Sequence, residues 1–405
     1  IYISFGAEKY KRKGKNMGAP YHCKVLIVGG GAGGMFAAAR LAQAGKGGDV
    51  CIAERGGRLG RKLSVTGNGQ GNVTNSDVSA AHFRSGRSGF FLPALRAFPF
   101  SAAEEFYAAL GIFLTGEEGR KYPLSRQASS VTDALRAFLE RSGVRAETNF
   151  RAVRAAFSGG RFRVFAEDGR EIDAEKLVFA FGGKAAKQFG TDGSAYALAE
   201  GFGHKITPLY PSLVQLKTET EPIRGLKGIR APARVKAEGR YCAEAEGDVL
   251  FTDYGVSGSA AFAVSGAVSG GGRLEIEFLP GLGEKELLSY LRRREKLSLP
   301  LTGGLLHNQL GRMLEKRADG AEKLAALIKR FPLRATGSAG FDAAQVTAGG
   351  VDTETIDPHT MESLLQKGLY IVGEALDVAG DCGGYNLHWA LASAAAAARA
   401  IAEEV

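Results

Sequence analysis

Residues 24–34 read KVLIVGGGAGG, and this stretch decides the fold of the chain. A short apolar run leads into Gly29, Gly31 and Gly34, which have the spacing G-x-G-x-x-G. Where such a run joins a strand to a helix, the first glycine permits the tight turn and the second lets the backbone approach a pyrophosphate. The third glycine lets the helix pack closely on the strand, and the helix N-terminus offers unpaired N–H groups to phosphates. The stretch therefore predicts the start of a dinucleotide-binding α/β sheet.

The residues that follow complete this binding unit. Residues 35–45 are rich in small side chains and typical of a helix, and the run DVCIAE after them predicts a second strand that ends on Glu54. Glu54 lies 20 residues beyond Gly34, where an acid accepts hydrogen bonds from a ribose hydroxyl. We therefore expect the glycines to face the phosphates and Glu54 to face the ribose.

The composition describes a globular protein of two or three domains. The chain has 405 residues, of which 45% are hydrophobic and 23% are charged. It contains no apolar run of the ~18 residues that a membrane-spanning helix needs, so we expect no membrane partner. Its four cysteines, Cys23, Cys51, Cys242 and Cys382, form neither a C-x-x-C motif nor a metal pair. We expect a reduced, cytoplasmic setting and no metal site.

Positive charge is concentrated at the start of the chain. The formal net charge is +9, and residues 1–16 contribute +4 of it, which leaves +5 on the rest. This modest charge favours small anionic ligands over nucleic acid, and no sequence feature sets an oligomeric state. We expect residues 1–22 to be a disordered extension outside the fold.

The apolar pattern changes along the chain. Strand-like runs fill residues 149–181 and end in Gly182–Gly183, a pair that lets backbone come close to a ligand. Short β-like runs recur over 195–280, and helical spacing follows over 284–331. These changes predict a nucleotide domain that is interrupted by a β-rich module and a helical module.

A second binding segment lies near the other end of the chain. A predicted strand over Leu369–Val372 leads into Gly373–Glu374, and then GDCGGYNLHWA (380–390) opens a helix rich in alanine. The acid suits the ribityl chain or pyrophosphate of a flavin dinucleotide, and the helix N-terminus suits the ring. Because reduced flavin is anionic near N1, a helix dipole would stabilise it there.

The sequence resembles the BaiN-like family of bacterial NAD(P)/FAD-dependent oxidoreductases, also called aminoacetone-oxidase-like flavoproteins. The matching stretches are VLIVGGGAGG (25–34), LGRKLSVTGNG (59–69), NVTN (72–75), EEGRKYPLSRQASSVTDAL (117–135), FAFGG (179–183), LFTDYGVSG (250–258), AAQVTAGGV (343–351) and TMESLLQKGLYIVGEALDVAGDCGGYN (360–386). The resemblance implies a Rossmann-type FAD-binding domain formed by both chain ends (23–194 and 337–405). It also implies an inserted β-barrel-like domain (195–283) and a small helical subdomain (284–336).

The resemblance also implies which residues hold the cofactor. They are Gly29, Gly31, Ala32, Gly34 and Glu54 for the ADP half, Arg55, Lys62, Thr66 and Gly67 in the following loop, the backbone of Val153 against adenine, Gly182 beside the sheet, and Gly373, Glu374, Asp377, Gly384, Asn386 and Leu387 for the ribityl chain and ring. The chain departs from the family at Gly69–Asn72, where G-R-C-N is usual, and at His388, where an amide side chain is common. At these positions the resemblance does not carry over the family's substrate or its tuning of the flavin redox potential.

No catalytic residue is fixed by the sequence. Tyr385, His388, Asp381 and Cys382 cluster at the proposed flavin edge and could donate a proton. For His388 we favour a structural histidine, and for Cys382 a small packed residue whose pKa a helix N-terminus would lower.

The residues and the resemblance together predict an FAD-dependent oxidoreductase. In this interpretation NAD(P)H binds transiently and reduces the flavin, which then reduces an unsaturated or carbonyl-conjugated small molecule. One alternative is an amine-type oxidase that passes electrons to O₂. A second is a flavin-containing RNA-associated protein that uses basic segments such as 292–296.

Overall fold

A central mixed sheet and a separate closed barrel organise the chain, in a computed structural model that describes residues 21–405. The described strands are β1 (Tyr21–Val28), β2 (Val50–Ala53), β3 (Thr74–Asn75), β4 (Phe83–Ser85), β5 (Leu114–Glu117), β6 (Arg120–Pro123), β7 (Arg145–Glu147), β8 (Ala152–Ser158), β9 (Arg161–Ala166), β10 (Glu171–Phe179), β11 (Tyr210–Ser212), β12 (Leu216–Thr218), β13 (Arg230–Glu238), β14 (Cys242–Phe251), β15 (Gly255–Ser257), β16 (Gly272–Phe278), β17 (Phe331–Ser338), β18 (Val346–Ala348), β19 (Leu369–Ile371) and β20 (Val378–Gly380). The described helices are α1 (Ala32–Gln43), α2 (Leu92–Ala97), α3 (Phe100–Ala109), α4 (Ala128–Arg141), α5 (Tyr196–Glu200), α6 (Ser259–Val268), α7 (Glu284–Lys296), α8 (Asn308–Glu315), α9 (Gly320–Lys329) and α10 (Tyr385–Glu404).

The central sheet joins the two ends of the chain. Its order is β7-β2-β1-β10-β9-β8, and β19 pairs in parallel with the second half of β10. β1 is parallel to both β2 and β10, and Val25–Val28 are fully or almost fully buried. Strands covered on both faces read as continuous apolar runs, which explains the sequence VLIV. Helices α1 and α10 pack against each other.

The first strand begins earlier than the sequence predicts. Most of the expected extension, residues 1–22, lies outside the described residues, but Tyr21 and His22 already belong to β1. They pair in parallel with Ile172 and Asp173, and the guanidinium of Arg145 lies 3.8 Å from the centre of the Tyr21 ring. These contacts extend the strand beyond its apolar centre.

The inserted module is a closed barrel with the order β12-β15-β14-β13-β16-β17. Along β13 the sequence RAPARVKAE alternates, so that Ala231, Ala233, Val235 and Ala237 are buried while their neighbours face outward. Helix α6 packs against β13 and β14, and α9 packs against β16 and β17. The barrel and helices α7 to α9 share a core that is separate from the core of the central sheet.

The last barrel strand, β17, straddles the predicted boundary at 336/337. Its residues Phe331, Leu333 and Ala335 alternate inward, and it closes the barrel by pairing with β16 and β12. The sequence predicts instead that Phe331 lies on the face of the preceding helix, because it continues the helical spacing of Leu324 and Ile328. The Rossmann-type fold formed by both chain ends, with a barrel and helices inserted, is confirmed.

Two chain crossings connect the barrel to the sheet domain. The outgoing segment contains β11 and the returning segment contains β18, and these strands pair antiparallel, with Tyr210 opposite Ala348. At the barrel end, Leu216 is the register partner of Ser338. The two crossings therefore run side by side.

Candidate functional site

A long cleft runs along the carboxyl ends of the central parallel strands. Its volume is about 430 Å³, within the ~300–1,000 Å³ range of ligand and cofactor pockets. The predicted cofactor residues that line it are Gly29, Gly31, Ala32, Glu54, Arg55, Lys62, Thr66, Gly67, Gly182, Gly373, Glu374, Gly384, Asn386 and Leu387, and of the catalytic candidates Asp381 and Cys382 also line it. The structure thus brings together residues from both chain ends, while their contacts with FAD stay predictions.

Two helix N-termini face this cleft. Helix α1 follows Gly31 and helix α10 follows Gly384, and neither first turn is capped by a side chain. The first N–H groups of an α-helix have no partner within the helix. The cleft therefore holds two sets of bare donors with positive dipole ends, which suit a pyrophosphate and an electron-rich ring edge.

The glycines of the fingerprint leave room for a ligand. A Cβ atom built on Gly31 would meet no atom within 4 Å, so the space over this residue belongs to the cleft. Gly34 lies outside the cleft, where a Cβ would come within 1.9 Å of the carbonyl oxygen of Gly29. That contact is the close packing of helix on strand expected for the third glycine.

Glu54 is fixed at the end of β2 by the backbone. One carboxylate oxygen accepts from the N–H of Gly30 at 2.7 Å, and the other accepts from Gly56 at 2.6 Å. Each oxygen keeps a second lone pair, which can accept from a hydroxyl in the cleft. The geometry suits an acid that receives ribose hydroxyls.

Arg55 lies beside Glu54 and forms an ion pair across the cleft wall. Its Nη1 lies 2.9 Å from an Asp192 carboxylate oxygen. Burial works against ionisation of Asp192, but hydrogen bonds from Arg55 and Ser194 outweigh it and lower the pKa of that carboxyl. The pair ties the loop after β2 to the segment around Gly190.

Lys62 and Glu374 join the two chain ends inside the cleft. The Lys62 Nζ lies 3.0 Å from one Glu374 carboxylate oxygen and 3.3 Å from the other. The Thr347 N–H also donates to Glu374, at 2.8 Å. The sequence assigned both charged residues to cofactor binding, and the structure places them in contact with each other.

The turn before α10 is held by its own side chains. The Asn386 amide accepts from Gly380 N–H at 2.9 Å and donates to Gly380 C=O at 2.8 Å. The single tryptophan of the chain, Trp389, donates from Nε1 to Gly373 C=O at 3.1 Å. Asn386 thus shapes the turn, and Trp389 fixes the backbone next to Glu374.

Two further predicted cofactor residues do not reach the cleft. Val153 is half exposed in a bulge of β8, and Phe150, Arg151 and Ala152 line the cleft in its place. Asp377 faces Gly86 and Thr207, and burial raises the pKa of its carboxyl. Neither side chain lines the cleft, but the contact expected of Val153 is a backbone contact, and both contacts with FAD stay predictions.

The candidate His388 is a structural residue. It is fully buried, its Nε2 donates to Phe98 C=O at 3.0 Å, and its Nδ1 accepts from the Thr74 hydroxyl at 2.8 Å. Burial lowers the pKa of His388 to about 4. Both ring nitrogens are used away from the cleft, as we favoured from the sequence.

The other catalytic candidates differ from the expectation. Burial raises the pKa of the Cys382 thiol, although its position before a helix suggested a lowered value. Burial also raises the pKa of Tyr385 to about 12, and its ring stacks on His82 instead of lining the cleft. Cys382 at the cleft wall is therefore a neutral thiol at physiological pH.

The sequence names Asp381 beside this turn but does not predict the cluster of polar side chains that surrounds it. Strand β4 pairs antiparallel with β20 and brings His82 and Arg84 to Asp381, which lines the cleft. Asp77 completes the cluster from the other side of the His82 ring. No local motif marks these residues, because the pairing joins segments almost 300 positions apart.

The residues of the cleft fit FAD. Open space over Gly31, two uncapped helix N-termini and the fixed acid Glu54 match the chemistry of a pyrophosphate, a ring and a ribose. Within residues 21–405, no group of three or more His, Cys, Asp or Glu side chains could hold a metal ion. No described helix is long and apolar enough to cross a membrane.

Comparisons with known proteins agree on a family and a fold. The model of the HI0933-like protein Rossmann domain matches residues 23–400. The 3-dehydro-bile acid delta(4,6)-reductase of Clostridium scindens is 36% identical over 407 residues, which cover 94% of this chain and 99% of that protein. The ribosomal RNA dihydrouridine synthase of Haemophilus influenzae is 29% identical and covers 94% of this chain and 98% of that protein.

A solved structure shows the same fold at low identity. The open conformation of a flavocytochrome c3 fumarate reductase has a TM-score of 0.50 and 16% identity, covering 95% of this chain and 79% of that chain. At this identity the likeness concerns the fold alone.

Proposed function

The chain belongs to the HI0933-like family of Rossmann flavoproteins, and on that premise we propose that it reduces a carbon–carbon double bond conjugated to a carbonyl group. It is an FAD-dependent oxidoreductase, as the sequence predicts. The observation that carries the substrate class is the chemistry shared by two relatives matched almost end to end. A delta(4,6)-reductase acting on a 3-dehydro compound, and an enzyme that makes dihydrouridine, both saturate a C=C bond next to a carbonyl.

The cleft residues bind and orient the reactants in this proposal. Bound FAD supplies the hydride. Glu54 would hold the ribose, and the N-terminus of α1 would hold the pyrophosphate. Glu374 and Lys62 would hold the ribityl chain between the pyrophosphate and the ring. The N-terminus of α10 would stabilise negative charge on the ring. The reductant would be NAD(P)H bound transiently, since the sequence has no second strand–GxGxxG–helix unit.

We favour a small molecule over RNA as the substrate. The relative with the small-molecule name is 36% identical, against 29% for the relative that acts on ribosomal RNA. Several basic residues of the inserted module are also paired with acids. Arg234 contacts Glu244, Glu246 and Glu277, and Arg292, in the basic segment 292–296, pairs with Glu322. Such pairs leave fewer cations for phosphates.

Uracil within RNA is the second candidate. The finding that favours it is the 29% identity to ribosomal RNA dihydrouridine synthases of two bacteria, over more than nine-tenths of this chain. This identity favours an RNA partner, against the expectation that nucleic acid is not a partner. The amine-type oxidase has no such support among the relatives named above.

Two anaerobic half-reactions test the proposal. In the first, NADH and NADPH are mixed with the FAD-loaded protein in a stopped-flow instrument, and we expect one of them to bleach the flavin absorbance. In the second, the reduced protein is mixed with a 3-oxo-4,6-diene steroid acid, and we expect the flavin absorbance to return as one double bond of the diene is reduced.

The controls separate the alternatives. Return of absorbance with a uridine-containing ribosomal RNA fragment, but not with the steroid or with cyclohexenone, would replace the small molecule by RNA. Flavin reduction by an amine, with peroxide formed in air and no reaction with either nicotinamide, would point to the oxidase.

A further inference from the structure

A chain of hydrogen-bonding side chains connects the cleft wall to solvent. Strand β20 pairs with β4, and beyond the paired residues Asp381 N–H donates to His82 C=O at 2.9 Å. This pairing places the His82 ring against the Asp381 side chain. Asp381 lines the cleft next to Cys382 and Gly383.

The His82 ring lies between two carboxylates. Its Nδ1 is 3.1 Å from an Asp381 oxygen, and its Nε2 is 3.2 Å from an Asp77 oxygen. The exposed fraction of the side chain is 26% for Asp381, 28% for His82 and 63% for Asp77. The order Asp77, His82, Asp381 therefore leads from solvent to the cleft.

This arrangement suits a mobile proton. A neutral imidazole has one N–H and one lone pair, so one of its nitrogens would direct a lone pair at a carboxylate oxygen. With one more proton, on the ring or on a carboxyl group, every contact becomes a hydrogen bond. One extra proton can therefore move among the three side chains.

The groups around the three side chains support proton transfer toward the cleft. The charged and titratable groups nearby are Arg84, which bonds to the second Asp381 oxygen, Arg120 beside Gly383, the thiol of Cys382, the stacked ring of Tyr385, and the barrel residue Tyr241 under Arg84. Arg84 stabilises the carboxylate that remains after Asp381 gives up a proton. Tyr385 stacks on His82, with ring centres 4.3 Å apart and planes at 17°, and holds the imidazole in place.

We propose that His82 relays protons from solvent at Asp77 to the Asp381 carboxyl in the cleft, for the reduction of the substrate double bond. The inference rests on the proposed function. Hydride adds to the carbon β to the carbonyl, and the π electrons of the double bond move to give an enolate. The α carbon of the enolate then takes a proton from the Asp381 carboxyl group.

The remaining steps restore the starting state. Solvent protonates the neutral His82 ring on the Asp77 side, and the ring then donates a proton from Nδ1 to the Asp381 carboxylate. One hydride and one proton have added across the double bond, and the hydride originates from NAD(P)H. Asp381 is the residue that meets the substrate, and His82 acts through it as a positioning and relay residue.

His82→Gln tests the relay in the FAD-loaded protein, because glutamine keeps polar contacts but cannot carry the proton. Flavin reduction by NAD(P)H should stay within about twofold of the wild-type rate. Return of flavin absorbance with the 3-oxo-4,6-diene steroid acid should slow about 10- to 100-fold, less than the ~10²–10⁴-fold of a general acid, because Asp381 itself is kept. Added imidazole should restore part of the rate, and the pH dependence of this step should change. His359→Gln removes an exposed histidine outside the cleft, and should change nothing.

Several results would overturn the relay. An unchanged steroid-dependent rate in His82→Gln would do so, and so would a loss that imidazole does not restore and that leaves the pH profile unaltered. Asp77→Asn provides a second variant on an exposed side chain. It should slow only the steroid step, by several-fold, and equal rates would contradict the relay. If reduced wild-type protein reacts with neither the steroid nor cyclohexenone nor the RNA fragment, the proposed function fails, and the relay fails with it.

Discussion

At Gly31 the backbone itself forms the binding surface. A Cβ atom there would meet no protein atom within 4 Å, yet it would occupy the space over the N-terminus of α1 that faces the cleft. The folded protein therefore has room for a methyl group at this position. That methyl group would, however, occupy the space proposed for the pyrophosphate. Folding and binding can be separated by a single substitution.

Gly31→Ala should leave the unfolding temperature of the apoprotein unchanged and weaken FAD binding at least tenfold, or about 1.4 kcal/mol. Titration of the apoprotein with FAD, followed by flavin fluorescence, measures this affinity. Gly48→Ala is the matched control, since its Cβ also meets no atom within 4 Å but lies outside the cleft. Equal affinity in the two variants would remove Gly31 from the pyrophosphate site.

Single residues show where prediction from sequence succeeds and where it stops. Gly34 and Glu54 could be placed because their roles follow from spacing within one βαβ unit. The outward direction of the Val153 side chain could not be predicted, because it follows from a register shift between Ala152 and Arg154. A bulge depends on how two strands pair, and one strand alone does not determine it.

Among the elements, α10 couples its stability to pH through His388. Its folded-state pKa is about 4, whereas an unfolded chain would protonate this ring near its ordinary value of 6.5. Between these values the unfolded state binds more protons, so stability is full above about pH 6.5 and falls as the pH drops toward 4. The ring joins α10 to Thr74 in β3 and to Phe98 after α2.

Wild-type protein should lose about 2 kcal/mol of unfolding free energy through His388 between pH 7 and pH 5. His388→Asn should be less stable at pH 7, by roughly 1–3 kcal/mol, because a buried partner loses its hydrogen bond. It should also lose less stability on acidification than the wild type. Urea unfolding at both pH values measures this difference, with His359→Asn as the exposed control; parallel losses in all three proteins would contradict the assignment.

Pairing between distant elements explains which parts of the fold could not be predicted from the sequence. The sequence predicts β1, α1, β2 and the turn before α10, because each has a local signature. It does not predict that β4 lies beside β20, so His82 and Asp77 escaped notice. Likewise β17 alternates in the sequence, but only its partners β16 and β12 identify it as the strand that closes the barrel.

For the whole molecule, the cofactor cleft and the barrel are separable. Within residues 21–405, no wall residue of the cleft comes from 217–337. The barrel has its own core, and Leu216 and Ser338 are neighbours in register where the chain enters and leaves it. Contact between the modules near the polar cluster includes Arg84, whose guanidinium lies 5.3 Å from the centre of the Tyr241 ring.

Replacing residues 217–337 by a short Gly-Ser linker should leave a protein that folds and takes up FAD. The same protein should lose reaction with the steroid substrate, because the barrel no longer covers the cluster around Asp381. The visible flavin spectrum and a thermal unfolding curve test the first part, and the stopped-flow assay tests the second. A colourless, unfolded product would show that the barrel supports the cleft.

The sharing of the cleft between both chain ends has a consequence for how the protein is made. Its walls begin at Val28 and continue to Ala390, and a ribosome that adds about 5–20 residues per second finishes the second part well after the first. A nascent chain therefore exposes the glycine turn and the apolar surface of α1 long before α10 exists to cover it. Cofactor loading under the proposed placement therefore follows the synthesis of this last wall residue, so yellow colour would report that translation has passed Ala390.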